Sequence, residues 1–275
     1  MCKLFVVDAD GSLLNSDNKI SAANMDAINE LRARGIIYTI ATGRMFTSIL
    51  PYAAEIKINA PLICFNGALI KDIYTRKTYY YNPIQPDDAV YTIKILKEIG
   101  YQVNLYIDDE LIVDEINERV NWYLTYKNNK ARVNTVGDVA EYIKRIGKGT
   151  AKIYAIGDIK NPKPLDSDVY DELCKKVAVS TSGGGHLEIN AIGVSKGNAL
   201  KTLANMYDIK RDSVAAVGDN INDLSMIEYA GFGIAMDNAP NLVKIKADFI
   251  TKSNDKDGIA FAINKIFRRQ RIIAV

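Results

Sequence analysis

The chain has 275 residues, enough to bury the core of one large domain or of two smaller ones. Its 35 lysines and arginines nearly balance its 33 aspartates and glutamates, so the charge pattern gives no footprint for nucleic acid or an anionic membrane. The three cysteines lack metal-site spacing, and their odd number argues against a disulfide framework. No signal pattern or bilayer-length apolar stretch is found. These features predict a cytoplasmic protein without nucleic-acid or membrane partners, and they leave the oligomeric state unknown.

The first apolar segment, residues 3–7, runs directly into Asp8, Asp10 and Gly11. Apolar residues without alternation predict a strand that is covered on both faces, as in a parallel sheet. The carboxyl end of such a strand is where ligands bind in open α/β sheets, and Gly11 allows a sharp turn there. The same residues also fit a strand that ends in an Asx-type turn. This segment alone leaves both interpretations open.

The first third of the chain alternates between strands and helices. Ser21 is a suitable cap for the first helix, and Gly35 is a suitable stop. The predicted strands are 3–7, 36–41 and 61–65, the predicted helices are 21–34 and a second one after Arg44 that ends near residue 56, and a hairpin covers 68–81. This order predicts a parallel sheet with right-handed crossovers.

Pro83 and Pro86 mark the first predicted domain boundary. Beyond it the predicted helices are 87–99, 117–127 and 167–177, and the predicted strands are 101–107, 111–113, 152–156, 178–181 and 186–190. After about residue 191 the β/α alternation returns, with helices 195–206, 224–230, 239–245 and 258–267 and strands 213–217, 232–236 and 248–250. The sequence therefore predicts an α/β fold in which residues 1–83 and 191–275 form a Rossmann-like core and residues 84–190 form an inserted α+β cap domain.

Four predicted strands change from apolar to small and polar residues where they end, at Asp8, Thr42, Asn66 and Asp219. In a parallel sheet those ends share one edge. The carboxylates of Asp8, Asp10 and Asp219 would gather negative charge there, and Mg²⁺ is the hard cation that prefers such oxygen ligands.

Donors for a phosphate group lie in the same part of the sequence. The hydroxyl of Thr42, the amides around Gly43 and the ammonium of Lys196 would supply them. A metal ion, these donors and a carboxylate nucleophile together predict a site for phosphoryl transfer.

Four motifs occur in order along the chain: Asp8-Ala9-Asp10-Gly11-Ser12-Leu13-Leu14, Ala41-Thr42-Gly43-Arg44, Ser195-Lys196-Gly197 and Gly218-Asp219-Asn220-Ile221-Asn222-Asp223. Through them the chain resembles the haloacid dehalogenase-like hydrolases, and most of all the Cof-type phosphatases with a large α/β cap. The resemblance extends to Asn66-Gly67-Ala68 and to residues 252–258, and so it covers the whole core. Any one motif is a weak signal, whereas four in order are specific. Ser12 stands where threonine is usual and keeps a hydroxyl.

The resemblance implies that Asp8 attacks phosphorus to form an aspartyl-phosphate. It implies that Asp10 first protonates the leaving oxygen and then activates water. Mg²⁺ would be held by Asp8, the main-chain carbonyl of Asp10 and Asp219, with Asp223 and Asn222 supporting the shell.

The resemblance also implies a set of substrate-binding residues, namely Thr42, Gly43, Arg44, Asn66, Gly67, Lys196 and Asn222, of which Thr42 and Lys196 would bind the transferring phosphoryl group and orient Asp8. Alternatives stay open for several residues. Arg44 fits pairing with a carboxylate as well as contact with substrate. Asp223 also suits a helix cap, and Asn66 and Gly67 also suit a turn. The only histidine, His186, is predicted to be a loop or substrate-side residue of the cap rather than a catalytic one.

The predicted function is Mg²⁺-dependent hydrolysis of a small phosphomonoester. By resemblance, sugar phosphates are the leading substrates, ahead of nucleotides, pyridoxal phosphate and flavin-related phosphates, with cap side chains setting the choice. One alternative is a phosphosugar mutase or phosphotransferase, and another is a regulator that binds a phosphometabolite without catalysis. The intact set of Asp8, Asp10, Lys196 and Asp219 argues against the regulator.

Overall fold

The computed structural model describes residues 1–126, 131–161, 163–181 and 185–273. Lys127, the last residue of one predicted helix, lies outside these ranges. Contacts divide the chain into two compact units, of which the first contains Met1–Arg44, Ile49–Tyr80 and Ser195–Val275 and the second contains Met45–Ser48 and Tyr81–Val194. The assignment of these parts as a catalytic core and a cap domain stays a prediction.

The strands, in chain order, are β1 (Leu4–Val7), β2 (Ile37–Ile40), β3 (Leu62–Cys64), β4 (Leu69–Lys71), β5 (Thr78–Tyr81), β6 (Gln102–Ile107), β7 (Glu110–Val113), β8 (Val133–Thr135), β9 (Lys152–Ile156), β10 (Val177–Thr181), β11 (Leu187–Ala191), β12 (Val214–Gly218), β13 (Phe232–Ala235) and β14 (Phe249–Ile250). The helices are α1 (Ala22–Ala33), α2 (Phe46–Glu55), α3 (Pro86–Glu98), α4 (Glu118–Tyr126), α5 (Val139–Ile146), α6 (Ser167–Cys174), α7 (Lys196–Met206), α8 (Leu224–Tyr229), α9 (Asn241–Lys244) and α10 (Gly258–Ile273). Within the described ranges, none of these helices is long and apolar enough to cross a membrane.

The first unit is built on a parallel five-stranded sheet with the order β14-β13-β12-β1-β2. All four residues of β1 are buried, since Leu4 and Val6 are fully enclosed and Phe5 and Val7 are at most 2% exposed. Burial on both faces explains why the segment shows no alternation between apolar and polar residues. The predicted α/β fold with a parallel sheet is confirmed.

The strand that precedes Asn66 lies outside the parallel sheet, to which the sequence analysis assigned it. It is β3, which pairs antiparallel with β4 in a separate three-stranded sheet that ends with β5. One parallel bridge between Ala41 and Ile63 joins β3 to the end of β2. The polar residues after β3 therefore stay next to those after β2, although the two strands belong to different sheets.

The second unit contains a six-stranded sheet with the order β10-β11-β9-β6-β7-β8. Alternate residues of its central strands pack on one hydrophobic core, including Val103 and Leu105 of β6, Ile153 of β9 and Ile189 of β11. Helix α3 packs on β6 and on α5. The unit has the α+β composition that the sequence predicts.

Several predicted bounds in the second unit need correction. Helix α6 ends at Cys174 rather than at 177, because Val177 already pairs with Ala191 as the start of β10. Strand β11 begins after His186 instead of including it. Strand β8 and helix α5 were not predicted from the sequence, although Asp138 caps α5 and Gly147 ends it with a φ of 63°. In the first unit, α10 continues to Ile273 rather than ending at 267.

The cap of α5 gives a test of this local structure. Asp138 Oδ1 accepts hydrogen bonds from the amides of Ala140 at 2.7 Å and Glu141 at 2.9 Å. We expect Asp138→Ala to lower the free energy of unfolding by about 1 kcal/mol, and Asp138→Asn to lower it less because asparagine is also a good cap. Urea denaturation measures both, and equal losses in the two variants would contradict the capping role.

The same cap has a predictable pH dependence. Hydrogen bonding from Glu141, with a contribution from Lys97, lowers the pKa of Asp138 below its usual value of 3.8. A carboxyl group with a lowered folded-state pKa stabilises the fold above its unfolded-state pKa, and this contribution disappears as the pH falls through the folded-state value. The difference between wild type and Asp138→Ala should therefore shrink in strong acid.

Candidate active site

Polar residues from neighbouring strands meet at one edge of the parallel sheet. The amide of Asp8 donates to the carbonyl of Val217 at 2.9 Å, and the amide of Ala41 donates to that of Val7 at 2.9 Å. These bonds continue the registers of β1 with β12 and with β2 beyond the last strand residues. Asp8, Thr42 and Asp219 consequently follow three adjacent strand ends, as the sequence predicts.

The first loop, residues 8–14, turns back on itself directly after β1. The amide of Leu13 donates to the carbonyl of Asp8 at 3.1 Å. Gly11 has a φ of +77°, and a Cβ atom at this position would lie 2.4 Å from Asp219 Oδ2. Both the backbone conformation and the lack of space require glycine here. The next residue, Ser12, donates its hydroxyl to Asp219 Oδ1 at 2.8 Å.

Lys196 lies at the first position of α7 and is 1% exposed. Its Nζ atom is 2.6 Å from Asp8 Oδ1 and 2.5 Å from Asp223 Oδ1. A buried ammonium is strongly favoured only where carboxylates compensate its charge. The lysine therefore holds two carboxylates in fixed positions at the sheet edge.

Asp223 is fully buried and uses both of its carboxylate oxygens. Oδ1 faces Lys196, while Oδ2 accepts from the amides of Asp219 and Asn220, each at 2.9 Å. With the side chain of Asn220, it forms a capping box that starts the next helical turn. Asp223 is therefore a helix cap through Oδ2 and a member of the ionic cluster through Oδ1.

The excess of acids over bases shifts the pKa values of the cluster. Burial, reinforced by the charge of Asp223, raises the pKa of Asp8 well above its usual value, although Lys196 opposes the shift. Burial and the same neighbour raise the pKa of Asp219 to about 6. Burial alone would lower the pKa of Lys196, but Asp223 and Asp8 outweigh it and the pKa is raised. The cluster therefore carries more negative charge than its one lysine balances.

The donor set of this cluster fits a hard divalent cation. Asp8, Asp219 and Asp223 each offer a carboxylate oxygen, and these three atoms lie within 4.8 Å of one another. Oxygen ligands and surplus negative charge are what Mg²⁺ and Ca²⁺ sites require in proteins. The side chain of Asp10 is not part of this group, and the predicted metal contact through its main-chain carbonyl stays a prediction.

Asp10 is paired with Arg44. Arg44 Nε donates to Asp10 Oδ2 at 2.8 Å, and Arg44 Nη2 contacts Asp10 Oδ1, so the guanidinium grips the carboxylate with two atoms. Burial alone would lower the pKa of Arg44, but the hydrogen bond and the charge of Asp10 raise it instead. The structure shows Arg44 paired with a carboxylate, and its contact with substrate stays a prediction.

Three further residues of the predicted substrate-binding set lie together. Thr42 is 1% exposed, and its hydroxyl accepts a hydrogen bond from the amide of Arg44 at 3.1 Å. The carbonyl of Thr42 accepts from the amide of Asn66 at 3.0 Å. The side-chain amide of Asn222 donates to Asn66 Oδ1 at 3.1 Å. The ends of β2, β3 and β12 are linked in this way.

Gly67 and Gly43 complete this edge. A Cβ atom at Gly67 would lie 2.3 Å from the carbonyl oxygen of Ser195, and the φ of Gly67 is +108°. Gly67 thus allows the turn after β3 to approach the start of α7, whose first residue is Lys196. Gly43 lies in the bend between Thr42 and α2. Asn66 and Gly67 therefore form a turn and also contact other residues of the site.

His186 belongs to the second unit and is 5% exposed. Its ring centroid is 4.7 Å from that of Trp122 and 6.3 Å from that of Tyr154. The histidine is thus packed among aromatic side chains.

Sequence reasoning missed two residues that contact the first loop. Asn238 donates to the carbonyl of Gly11 at 2.8 Å, and Asn254 donates to that of Leu14 at 3.0 Å. Both residues follow the carboxyl end of a strand, Asn238 after β13 and Asn254 after β14. The rule that selected Asp8, Thr42 and Asp219 would have found them if it had been applied to every strand of the sheet.

Replacing Lys196 with methionine tests how far the stability of the acidic cluster depends on its one lysine. The variant leaves Asp8 and Asp223 buried without their counter-charge, so we expect the free energy of unfolding to fall by about 3–5 kcal/mol near neutral pH. The folded variant then binds a proton at Asp8 more tightly than the unfolded state does, so the loss should grow as the pH rises.

A matched control is Lys246→Met, since Lys246 pairs with Glu228 at 3.3 Å and both side chains are about half exposed. Exposed pairs contribute about 0–1 kcal/mol, so this variant should be nearly neutral. Urea denaturation at acid and alkaline pH compares the two variants. Equal losses would show that the buried cluster does not depend on Lys196.

Comparison with known proteins places these features in a family. The model of the haloacid dehalogenase-like hydrolases matches residues 5–263. A 5-amino-6-(5-phospho-D-ribitylamino)uracil phosphatase of Bacillus subtilis is 30% identical over 98% of this chain and 99% of its own. A pyridoxal phosphate phosphatase of Escherichia coli is 27% identical over 94% of this chain and 96% of its own. The crystal structure of a haloacid dehalogenase-like hydrolase from Bacteroides thetaiotaomicron matches with a TM-score of 0.83 at 30% identity, over 97% of this chain and 100% of that one. The chain belongs to the haloacid dehalogenase-like hydrolases, as its four ordered motifs predict.

Proposed function

We propose that the protein is a Mg²⁺-dependent phosphatase that hydrolyses small phosphomonoesters through an aspartyl-phosphate on Asp8. The observation that carries this proposal is the ionic cluster, in which Lys196 holds Asp8 at 2.6 Å beside Asp219 and Asp223. A carboxylate that is fixed in a buried site with a cation on one side is suited to attack an electrophile that approaches from the other side.

The reaction proceeds in two balanced steps. In the first, an oxygen of Asp8 bonds to phosphorus, the ester P–O bond breaks, and Asp10 gives its proton to the leaving oxygen. In the second, Asp10 takes a proton from water, the water oxygen bonds to phosphorus, and the Asp8–phosphate bond breaks. The side chain of Asp10 is 54% exposed, which suits a group that meets both a leaving group and water.

Arg44 has a defined part in this scheme. Its two-atom grip places a positive charge against the Asp10 carboxylate, whose ionised form the second step requires. For the first step Asp10 must carry a proton, so Arg44 must loosen its contact when substrate binds. Thr42, Gly43 and Asn66, with Gly67 and Asn222, are the proposed contacts for the phosphoryl group and the groups around it, because hydrogen bonds hold the segments after β2, β3 and β12 together.

Asp8 and Asp219 are the proposed side-chain ligands of Mg²⁺, together with the main-chain carbonyl of Asp10. Asp223 supports them through its bonds to Lys196 and to the amide of Asp219. The ion, when bound, would neutralise phosphate charge and lower the repulsion between the phosphate and the attacking carboxylate. Lys196 keeps Asp8 oriented, because its positively charged Nζ atom contacts the Asp8 carboxylate.

The proposed substrates are small phosphorylated compounds, with sugar phosphates first. The names of two relatives specify a phosphorylated ribitylamino uracil and pyridoxal phosphate, and both belong to this class. A panel should therefore contain sugar phosphates, pyridoxal phosphate, nucleotides and flavin-related phosphates.

Phosphate release from that panel tests the proposed function. With Mg²⁺ present, the wild type should turn over at least one ester. Asp8→Asn should lose turnover by a factor of about 10⁴ or more, because covalent catalysis requires the nucleophile. Asp17→Asn is the matched control, since Asp17 is an exposed acid near the same loop. Undiminished turnover in Asp8→Asn would contradict the assignment.

Product analysis separates hydrolysis from the alternatives. Transfer of the phosphoryl group to a second sugar, rather than its release as phosphate, would indicate a mutase or phosphotransferase. A folded protein that binds Mg²⁺ and turns over no ester would favour a regulator.

The affinity for Mg²⁺ should depend on pH. A proton competes with the metal ion for a carboxylate whose pKa is about 6, as that of Asp219 is. Below this pKa the apparent affinity should fall by at least about tenfold per pH unit, because Asp8, the other proposed side-chain ligand, also has a raised pKa. Calorimetric titration with Mg²⁺ across this range measures the effect, with Asp219→Asn as the variant that removes the ligand. An affinity that is constant across the range would contradict the assignment of Asp219.

A further inference from the structure

Two asparagines outside the four motifs contact the backbone of the first loop. Asn238 Nδ2 donates to the carbonyl of Gly11 at 2.8 Å, and Asn254 Nδ2 donates to the carbonyl of Leu14 at 3.0 Å. The amide of Asn254 donates in turn to Asn238 Oδ1 at 3.1 Å. The Asn238 side chain therefore has its donor end and its acceptor end both engaged, which fixes its orientation.

Asn254 belongs to a second loop, residues 251–258, which we name the tail loop. The tail loop is closed on itself, because the hydroxyl of Thr251 donates to the carbonyl of Gly258 at 2.6 Å and the amide of Gly258 donates to that of Ser253 at 3.1 Å. A closed loop gives Asn238 and Asn254 a firm support. The two asparagines therefore connect the first loop to a rigid part of the molecule.

The contact at Gly11 lies at a sensitive point of the backbone. Glycine has no Cβ atom to restrict its conformation, so the Gly11–Ser12 peptide needs an external contact to hold one orientation. The residue before Gly11 is Asp10, the proposed acid and base. The residue after it is Ser12, whose hydroxyl holds Asp219 at 2.8 Å. A rotation of this peptide would move both groups.

We propose that Asn238 and Asn254 are positioning residues, which hold the Gly11–Ser12 peptide so that Asp10 faces the leaving group and Asp219 faces the metal ion. This inference rests on the proposed function for its kinetic consequences. It rests on the proposed Mg²⁺ site for its effect on metal binding. Neither asparagine touches substrate in this account.

The experiment compares Asn238→Ala and Asn254→Ala with Ser16→Ala. Ser16, which lies just after the first loop, is joined to the tail loop, since its hydroxyl donates to Asp255 Oδ2 at 2.7 Å and its main-chain amide donates to Asp255 Oδ1 at 2.8 Å. That tie involves neither Gly11 nor Leu14. Both asparagines lie outside the buried core, Asn238 being exposed and Asn254 half-buried, so the variants should fold. Ser16→Ala therefore controls for a general loosening of the loops.

The kinetic arm uses p-nitrophenyl phosphate and an alkyl phosphate. In Asn238→Ala, the rate of the first step on the alkyl ester, measured in a single turnover, should fall by about tenfold, because a misplaced acid slows departure of an alkoxide. It should fall less for p-nitrophenyl phosphate, whose phenolate leaves without much help. KM should change by less than about twofold for both esters, since no substrate contact is lost. Asn254→Ala should show the same pattern with smaller changes.

The second arm is calorimetric titration with Mg²⁺, which requires no turnover. Asn238→Ala should bind Mg²⁺ about tenfold more weakly than the wild type, as expected when the support of a ligand is removed. Ser16→Ala should match the wild type in both arms. If the wild type hydrolyses no ester, the proposed function fails, and the Mg²⁺ titration still decides the positioning role. Equal Mg²⁺ affinity in Asn238→Ala, Ser16→Ala and wild type, or equal loss of the first-step rate on both esters, would overturn the inference.

Discussion

The rest of the site depends on one buried cation between two carboxylates. Lys196 is 1% exposed and contacts Asp8 and Asp223, neither of which is accessible enough to be compensated by water. Such a cluster is stable only if its members stay in place, because removal of one partner leaves an uncompensated buried charge. Its position at the ends of β1 and β12 and at the start of α7 therefore constrains how these three elements meet.

Further contacts join the buried ionic cluster to the turn and the loops around it. Asp223 divides its two oxygens between Lys196 and the turn after β12, so the ionic cluster and the backbone turn form together. Ser12 ties Asp219 to the first loop, and Asn238 ties the first loop to the tail loop. Arg44 holds Asp10 at the exposed side of the cluster. The buried half of the site is thus fixed, and its exposed half carries Asp10, the proposed acid and base.

The sequence predicted the strands of the first unit because each is a short apolar run followed by polar residues. Asp8, Thr42 and Asp219 could be brought together from the rule that parallel strands end at one edge. The sequence could not decide whether Arg44 pairs with a carboxylate or contacts substrate, because a positive charge suits both roles. The separate sheet of β3 was missed because an apolar run does not reveal its partner strand. Helix α5 was missed although Asp138 and Gly147 mark its two ends. The strand-end rule, applied to β13 and β14, places Asn238 and Asn254 at the same edge, whereas their contacts with the first loop depend on how distant loops meet.

The most direct test of the account is a search for the phosphoryl group on Asp8. Asp10→Asn enzyme is mixed with p-nitrophenyl phosphate and Mg²⁺, quenched in acid, digested and analysed by mass spectrometry. We expect a burst of about one p-nitrophenol per enzyme and one added phosphoryl group on the peptide that contains Asp8, because the second step lacks its base. A burst with the phosphoryl group on another residue would contradict it. So would steady release of phosphate by the wild type with no phosphorylated peptide in either enzyme.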